Sequence, residues 1–353
     1  MRRYRVPLAL IVIGLGILGA FLHPLALVLT LIPTDTAPVI ALLERTREAI
    51  ADVLGWGIVA LVLVMLTYVL AGRRARPAGI AAGVPLPIPA EPSVAVAITA
   101  YNDAGATAQA ARDFRGQANV TKVIVVDNNS TDDTSTLARQ AGADVVNEPQ
   151  QGYGYACIRG LAEAAKSGAD VVVLTEGDGT FFAEDLPKLL AYIRDADLVV
   201  GNRVVRGLVA ADSQMDHFFT WGNMAVAMLL RLRFWDGRHL GPAGLSDVGC
   251  TYRAIRRQAL ERILPDLRVG GNSFSPHMLM VAMARDLVVV EIPVRLRQRV
   301  GRSKGASQSL AKGLQVGLAM IWDILTFNLP QRPQRSALEP EPAQLAEKAG
   351  AAR

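Results

Sequence analysis

Cysteine is scarce in this chain, with Cys157 and Cys250 alone among 353 residues. Two thiols exclude a disulfide framework, cannot by themselves make a zinc site, and point to a reducing compartment for the folded part. Charged residues are also few, at 20%, while 51% are hydrophobic and the mean hydropathy is +0.27. That is too apolar for an ordinary soluble enzyme and too charged for a polytopic transporter, so a membrane-tethered globular domain fits best. Aromatic residues make up only 6%, which argues against base-stacking surfaces for nucleic acid. No internal repeat is present. The charge balance is basic, +5 overall with a pI near 9.4. It favours anionic partners without choosing among lipid phosphate, nucleotide and nucleic acid.

The apolar residues gather at the start. Val6 to Ile32 carries no charge, and neither does Val53 to Ala71, against the roughly 20 residues that a helix needs to cross a bilayer. Arg2, Arg3 and Arg5 precede the first run and Arg73, Arg74 and Arg76 follow the second, while Asp35, Glu44, Glu48 and Asp52 lie between them. The positive-inside rule then predicts a transmembrane hairpin over 1–76 with both ends cytoplasmic. A cleaved signal peptide followed by one anchor would use the same basic start. Residues 77–92, with five prolines, read as a semi-rigid linker. The stretch 331–353 lacks an apolar period and reads as a disordered tail. One folded domain is expected over 93–330.

That domain opens as alternating strand and helix. Apolar β-branched runs at 94–98, 122–126, 144–146 and 171–174 are separated by helical stretches at 104–115, after the capping residues 130–133 through 140, and at 155–166. Strands this apolar predict an α/β fold, with a mainly parallel sheet covered on both faces and ligands at the carboxyl ends of its strands. Those ends carry Tyr101, Asn102 and Asp103, then Asp127, Asn128 and Asn129, then Glu176, Gly177 and Asp178. Carboxylates two residues apart, Glu176 and Asp178, suit a hard cation such as Mg²⁺ or Mn²⁺, with Gly177 leaving room for a ligand. Capping of turns and helices is the competing role for each Asp.

These residues carry a resemblance. Thr99-Ala100-Tyr101-Asn102-Asp103, Val126-Asp127-Asn128-Asn129-Ser130-Thr131-Asp132 and Glu176-Gly177-Asp178 resemble, in order and spacing, three motifs of the family 2 glycosyltransferases of the GT-A fold. Departures are Thr99 for Pro, Asp103 for Glu, Asn128-Asn129 for Asp-Gly and Glu176 for the first Asp of Asp-x-Asp. The resemblance implies that Thr99, Tyr101, Asp103, Asp127 and Asn129 bind the nucleotide of a nucleotide-sugar donor. It also implies that Glu176 and Asp178 hold the diphosphate through Mg²⁺ or Mn²⁺. Leu198 to Arg203 resembles a strand of the dolichyl- and polyprenyl-phosphate branch and puts Arg203 on a phosphate. Asp247, in Leu245 to Arg253, falls where inverting members place a catalytic carboxylate; a turn-forming Asp beside Gly249 is the alternative. Arg299-Val300-Gly301-Arg302-Ser303-Lys304 resembles that branch's Arg-x-Gly-x-Ser-Lys loop, implying that Arg299, Arg302, Ser303 and Lys304 meet phosphates.

From alternation alone, Arg295, Arg297 and Arg299 fall on one face of a strand, either solvated at a sheet edge or gathered for an anion. Phe218 to Trp235 and Leu314 to Phe327 read equally as core helices or as helices in a membrane interface. Cys250 reads as a small buried residue. The expected function is transfer of a sugar from a nucleotide donor to a polyprenyl phosphate at the cytoplasmic membrane face, with Asp178 central to catalysis. Two alternatives stay open: a glycolipid or polysaccharide hydroxyl as acceptor, which would need Asp247 as base, and a noncatalytic nucleotide-binding scaffold. A processive synthase is disfavoured by the lack of a Gln-x-x-Arg-Trp motif. No nucleic-acid partner is expected.

Overall fold

The structure is a computed structural model that describes residues 88–210, 213, 215, 217–234, 244–300 and 309–329. The expected hairpin over 1–76, most of the linker and the tail lie outside these residues. Described residues fall almost wholly in one compact unit, 81–230 with 244–353; of the other, 1–80 with 231–243, only Arg231–Phe234 are described. Among the described residues no helix is long and apolar enough to cross a membrane.

Seven strands form one sheet. They are β1 (Val94–Ala100), β2 (Val120–Asp127), β3 (Asp144–Asn147), β4 (Val171–Glu176), β5 (Leu198–Asn202), β6 (Arg253–Arg256) and β7 (Val289–Pro293), in the order β3-β2-β1-β4-β6-β5-β7. All neighbouring pairs are parallel except those of β6, which runs antiparallel between β4 and β5. The mainly parallel sheet was legible from the apolar runs, and every residue of β1 is buried, as a strand covered on both faces requires. The helices are α1 (Ala104–Arg115), α2 (Thr134–Gln140), α3 (Tyr153–Ala165), α4 (Leu186–Tyr192), α5 (His217–Phe234), α6 (Arg257–Ile263), α7 (Phe274–Ala284) and α8 (Leu310–Thr326).

Strand β6 has no apolar run to announce it, because arginines stand at both of its ends and both are buried. The Arg253 guanidinium donates to the carbonyls of Cys250 (2.8 Å), Ser275 (2.7 Å) and Val248 (3.1 Å). Arg256 donates to the carbonyls of Ile193, Arg194 and Ala196, at the end of α4 and just beyond it. Buried charge is tolerated when it is hydrogen-bonded, and both cations serve as connectors between segments, although Arg256 Nη1 is buried without a partner among the described residues. Cys157 and Cys250 are fully buried, and burial pushes the Cys250 thiol up to about 12, as an inert core residue requires.

Helix α3 lies close on the sheet. A Cβ added to Gly160 would meet the Ala97 Cβ at 3.0 Å and a Val126 methyl at 3.1 Å, so a side chain there must prise helix from strand. Gly160→Val is expected to lower the unfolding free energy by about 1–3 kcal/mol. A Cβ added to the exposed Gly105 of α1 would meet no atom within 4 Å, so Gly105→Ala should raise it by up to about 0.5–1 kcal/mol. Equal melting temperatures for the two variants would refute the close helix–sheet contact.

Candidate active site

Strand register brings the acidic ends together. Thr99 of β1 pairs with Glu176 of β4, and Ala100 with Asp127 of β2, which sets the three predicted strand ends along one rim. A cavity of about 580 Å³ opens there. Thr99, Tyr101, Asp103, Glu176, Asp178, Arg203 and Arg299 all line it, so seven of the site residues expected from sequence meet in one place.

Asp127 and Asn129 do not line that cavity. The Asp127 carboxylate accepts from the Ser130 amide at 2.9 Å and from the Ser135 hydroxyl, so it holds the turn and the start of α2. Asn129 has φ 63° and donates to the Pro149 carbonyl at 2.9 Å; Asn tolerates that left-handed backbone better than most residues. Its neighbour Asn128 reaches the cavity instead, accepting from the Gly152 amide at 2.8 Å. Gly177 also departs from expectation. A Cβ there would meet Thr107 Oγ1 at 2.7 Å, and Thr107 donates to the Gly177 carbonyl at 3.0 Å. The room that this glycine leaves is therefore filled by helix α1 and not kept for a ligand.

Glu176 is partly buried, and its Oε1 accepts from Thr251 at 2.5 Å and from Tyr153 at 3.3 Å. Burial, with the Asp178 charge beside it, pushes its carboxyl up to about 7 against the pull of the Thr251 hydrogen bond. Asp178 Oδ1 accepts from the amide (3.0 Å) and hydroxyl (2.7 Å) of Thr180, leaving Oδ2 to face Arg299 at 3.1 Å. Neither Tyr153 nor Thr251 stands among the site residues that the sequence motifs pick out, although Thr251 falls within the Leu245 to Arg253 segment. Two crowded carboxylates with one of them reluctant to ionise fit a divalent cation, since hard oxygens are the ligands Mg²⁺ and Mn²⁺ prefer. Among the described residues no cluster of three or more His, Cys, Asp or Glu side chains surrounds such a position.

Arg203 and Asp247 form a closed pair. The carboxylate is fully buried and accepts from Arg203 Nε (2.8 Å), Nη2 (2.9 Å) and amide (2.8 Å), from Asn223, and from the Gly249 amide (3.1 Å). Glu291 of β7 holds the Ser246 and Asp247 amides in turn. Burial pushes the Asp247 carboxyl up, but Arg203 outweighs it and holds the group below its ordinary value. Asp247 lies behind Arg203, outside the cavity lining.

The expected arginine face breaks up. Strand β7 ends at Pro293, although Val294 and Leu296 stay buried between half-buried arginines. Arg295 pairs with Asp185 at 2.8 Å, and both Arg295 and Arg297 lie over the Phe182 ring, 4.5 and 4.7 Å from its centroid. Their charges are spent within the protein, because the 180–182 segment runs beside them through the Phe181–Leu296 bridge. Arg299 alone of the three enters the cavity. Arg302, Ser303 and Lys304 lie outside the described residues.

Comparison with known proteins follows the same lines. The model of Glycosyl transferase family 2 matches residues 95–264. An uncharacterized glycosyltransferase of Mycobacterium tuberculosis is 36% identical over 210 residues, covering 58% of this chain and 86% of that protein. A dolichyl-phosphate hexose transferase of Haloferax volcanii is 30% identical over 231 residues, covering 65% of this chain and 92% of the relative. Among solved structures, glucosyl-3-phosphoglycerate synthase of M. tuberculosis, in complex with Mn²⁺, UDP-glucose and phosphoglyceric acid, superposes with a TM-score of 0.52 at 19% identity, over 68% of this chain and 82% of that one. That likeness is one of fold. The chain belongs to glycosyltransferase family 2, and its sheet is that of a GT-A-like domain.

The raised Glu176 pKa has a sign that can be measured. The folded state holds this proton more tightly than the unfolded chain, so its stabilising contribution is full below the ordinary 4.5 and is lost as pH rises through about 7. A cation bound at Glu176 must displace the same proton. Mn²⁺ affinity should therefore rise up to about tenfold per pH unit below 7 and level off above it, with Glu176→Gln lacking that slope. A flat wild-type titration between pH 5.5 and 7 would contradict the assignment.

Proposed function

We propose that this protein is a membrane-anchored, metal-dependent inverting glycosyltransferase that moves a sugar from a nucleotide-sugar donor to a polyprenyl phosphate at the cytoplasmic face. One observation carries the reading: the cavity lining combines two kinds of chemistry. Asp103, Glu176, Asp178, Arg203 and Arg299 bring charge to it, while helices α5 and α8 supply Phe218, Phe219, Val226, Leu314, Met320 and Ile321. Away from the cavity the same helices expose Trp221 at 68%, Met228 at 48% and Trp322 at 40%. Large apolar side chains in water are costly, and an acceptor with a charged head and a hydrocarbon chain in a bilayer would cover both wall and outer face. The dolichyl-phosphate relative is consistent with that chemistry.

A phosphate acceptor has a second pKa near 6, so it reaches neutral pH largely as a dianion and needs no strong base. Positioning is then the main task. An acceptor oxygen attacks the anomeric carbon from the side opposite the nucleotide; the new C–O bond forms as the bond to the β-phosphate oxygen breaks. The electron pair leaves with the nucleoside diphosphate, and the single displacement inverts the centre. Glu176 and Asp178 would hold Mg²⁺ or Mn²⁺, which supplies Lewis-acid stabilisation to the departing diphosphate. Arg203, kept in place by Asp247, presents positive charge to the head group. A hydroxyl acceptor would need a base, and Asp247 is poorly suited: it already accepts five hydrogen bonds and its pKa is lowered.

The test offers the detergent-solubilised full chain a panel of labelled nucleotide sugars with undecaprenyl or dolichyl phosphate and Mg²⁺ or Mn²⁺, and follows label into the organic phase. Wild type should transfer one sugar, and Asp178→Asn should lose at least about a hundredfold of that rate, of the order seen when a transition-state charge loses its partner. Transfer only to hydroxyl-bearing glycolipids would move the reading to the other acceptor class, and nucleotide binding without any product would leave a scaffold.

A further inference from the structure

We infer that Arg299 is a resident counter-cation, holding the metal position of the free protein with its own guanidinium and giving it up only when metal and diphosphate arrive together. The inference rests on the reading of Asp178 as a metal holder. Asp103 from the end of β1 and Asp178 from beyond β4 bring like charges to one rim, at a cost. One guanidinium spans both carboxylates. Arg299 Nη2 lies 2.7 Å from Asp103 Oδ2 and Nη1 lies 3.1 Å from Asp178 Oδ2, with all three side chains no more than 12% exposed.

Backbone geometry delivers the guanidinium to that point. The Arg297 amide donates to the Thr180 carbonyl at 3.0 Å and the Val300 amide to the Asp178 carbonyl at 3.2 Å, so 297–300 is laid along 178–180. Gly179 turns there with φ +79°, and a Cβ on it would come within 3.2 Å of a Val300 methyl. The arginine is thus clipped to the very turn that carries Asp178.

Competition follows from the oxygens. Thr180 takes Asp178 Oδ1 twice, which leaves Oδ2, the atom that Arg299 holds. A divalent ion binds such an oxygen at about 2.0–2.1 Å, and two cations cannot share it at those distances without strong repulsion. Metal alone must evict Arg299 into a cavity whose other nearby guanidinium is already paired. A nucleoside diphosphate changes the balance, because its oxygens ligate the metal and also accept the freed guanidinium, for which Arg is well shaped. Arg299 Nε is buried without a hydrogen-bond partner among the described residues, so a donor remains for that exchange. Metal and diphosphate should therefore bind with positive coupling, and by linkage each should tighten the other equally.

The experiment measures free Mn²⁺ by electron paramagnetic resonance during titration of the full chain, with and without UDP or GDP. Wild type should bind Mn²⁺ weakly alone and about 5–150-fold more tightly with the matching diphosphate. Arg299→Gln should bind Mn²⁺ alone at least about tenfold more tightly than wild type and lose most of the coupling. Arg299→Lys, whose point charge cannot straddle both carboxylates, should fall between them and guards against a misfolded Gln variant. Unchanged or weaker Mn²⁺ binding by both variants without nucleotide, while wild type and variants alike bind it with nucleotide, would overturn the counter-cation and leave the metal reading intact. No Mn²⁺ binding by any of them, or binding unaffected by Asp178→Asn, would overturn the metal reading itself and the inference with it.

Discussion

The guanidinium of Arg253 sits at 1% exposure with three main-chain carbonyls as its partners. Burial lowers its pKa and makes an unpartnered cation costly, so the carbonyls must stay where they are for the charge to be tolerated. Those carbonyls belong to Val248, Cys250 and Ser275, which fixes the segment between Asp247 and Tyr252 and docks it on α7. Two site features hang from that segment. Asp247 at one end orients Arg203, and Thr251 near the other orients Glu176. The antiparallel strand that Arg253 begins is thus the frame on which the second half of the site is built.

Two arginines reach the cavity and are held in opposite ways. Arg203 belongs to a saturated pair, its carboxylate partner wrapped by five donors and backed by Glu291 through the chain. Such a pair is rigid and poor at exchanging partners. Arg299 instead divides one guanidinium between carboxylates of two different strand ends and keeps a donor unspent. For the transfer proposed above, the first would define a position for an anionic ligand and the second would be the cation able to change partners.

The sequence showed the first half of the domain well, because the strands at 94–100, 120–127 and 171–176 carry unbroken apolar runs, with Asp127 and Glu176 ending two of them and Asp103 lying three residues beyond the first. Register then did what spacing had suggested, and put Asp103, Glu176 and Asp178 on one rim. The second half was less legible for physical reasons. Strand β6 is four residues bounded by arginines, and no period-two or apolar signal distinguishes buried arginines that bind carbonyls from exposed ones that bind water. Asp127 shows the converse: its motif position marked it for a ligand, while its oxygens serve Ser130 and Ser135, partners whose distance no spacing reveals. Alternation correctly separated Val294 and Leu296 from their arginines but could not show that Phe182 lies beneath two of them.

The insertion of β6 between β4 and β5 also orders events during synthesis. Strands β1 to β4 can pair as soon as they emerge, but β4 finds its other neighbour only when the Val171–Arg256 register closes, about 85 residues later. At roughly 5–20 residues per second, the buried edge of Val171–Leu174 waits on the order of ten seconds with its amides and carbonyls unpaired. Contacts this distant in sequence form slowly, and an open apolar edge is a template for another chain. A chain cut short before Arg253 would keep every acidic strand end of the rim and yet present that edge to its neighbours, so such fragments should aggregate more readily than the whole domain.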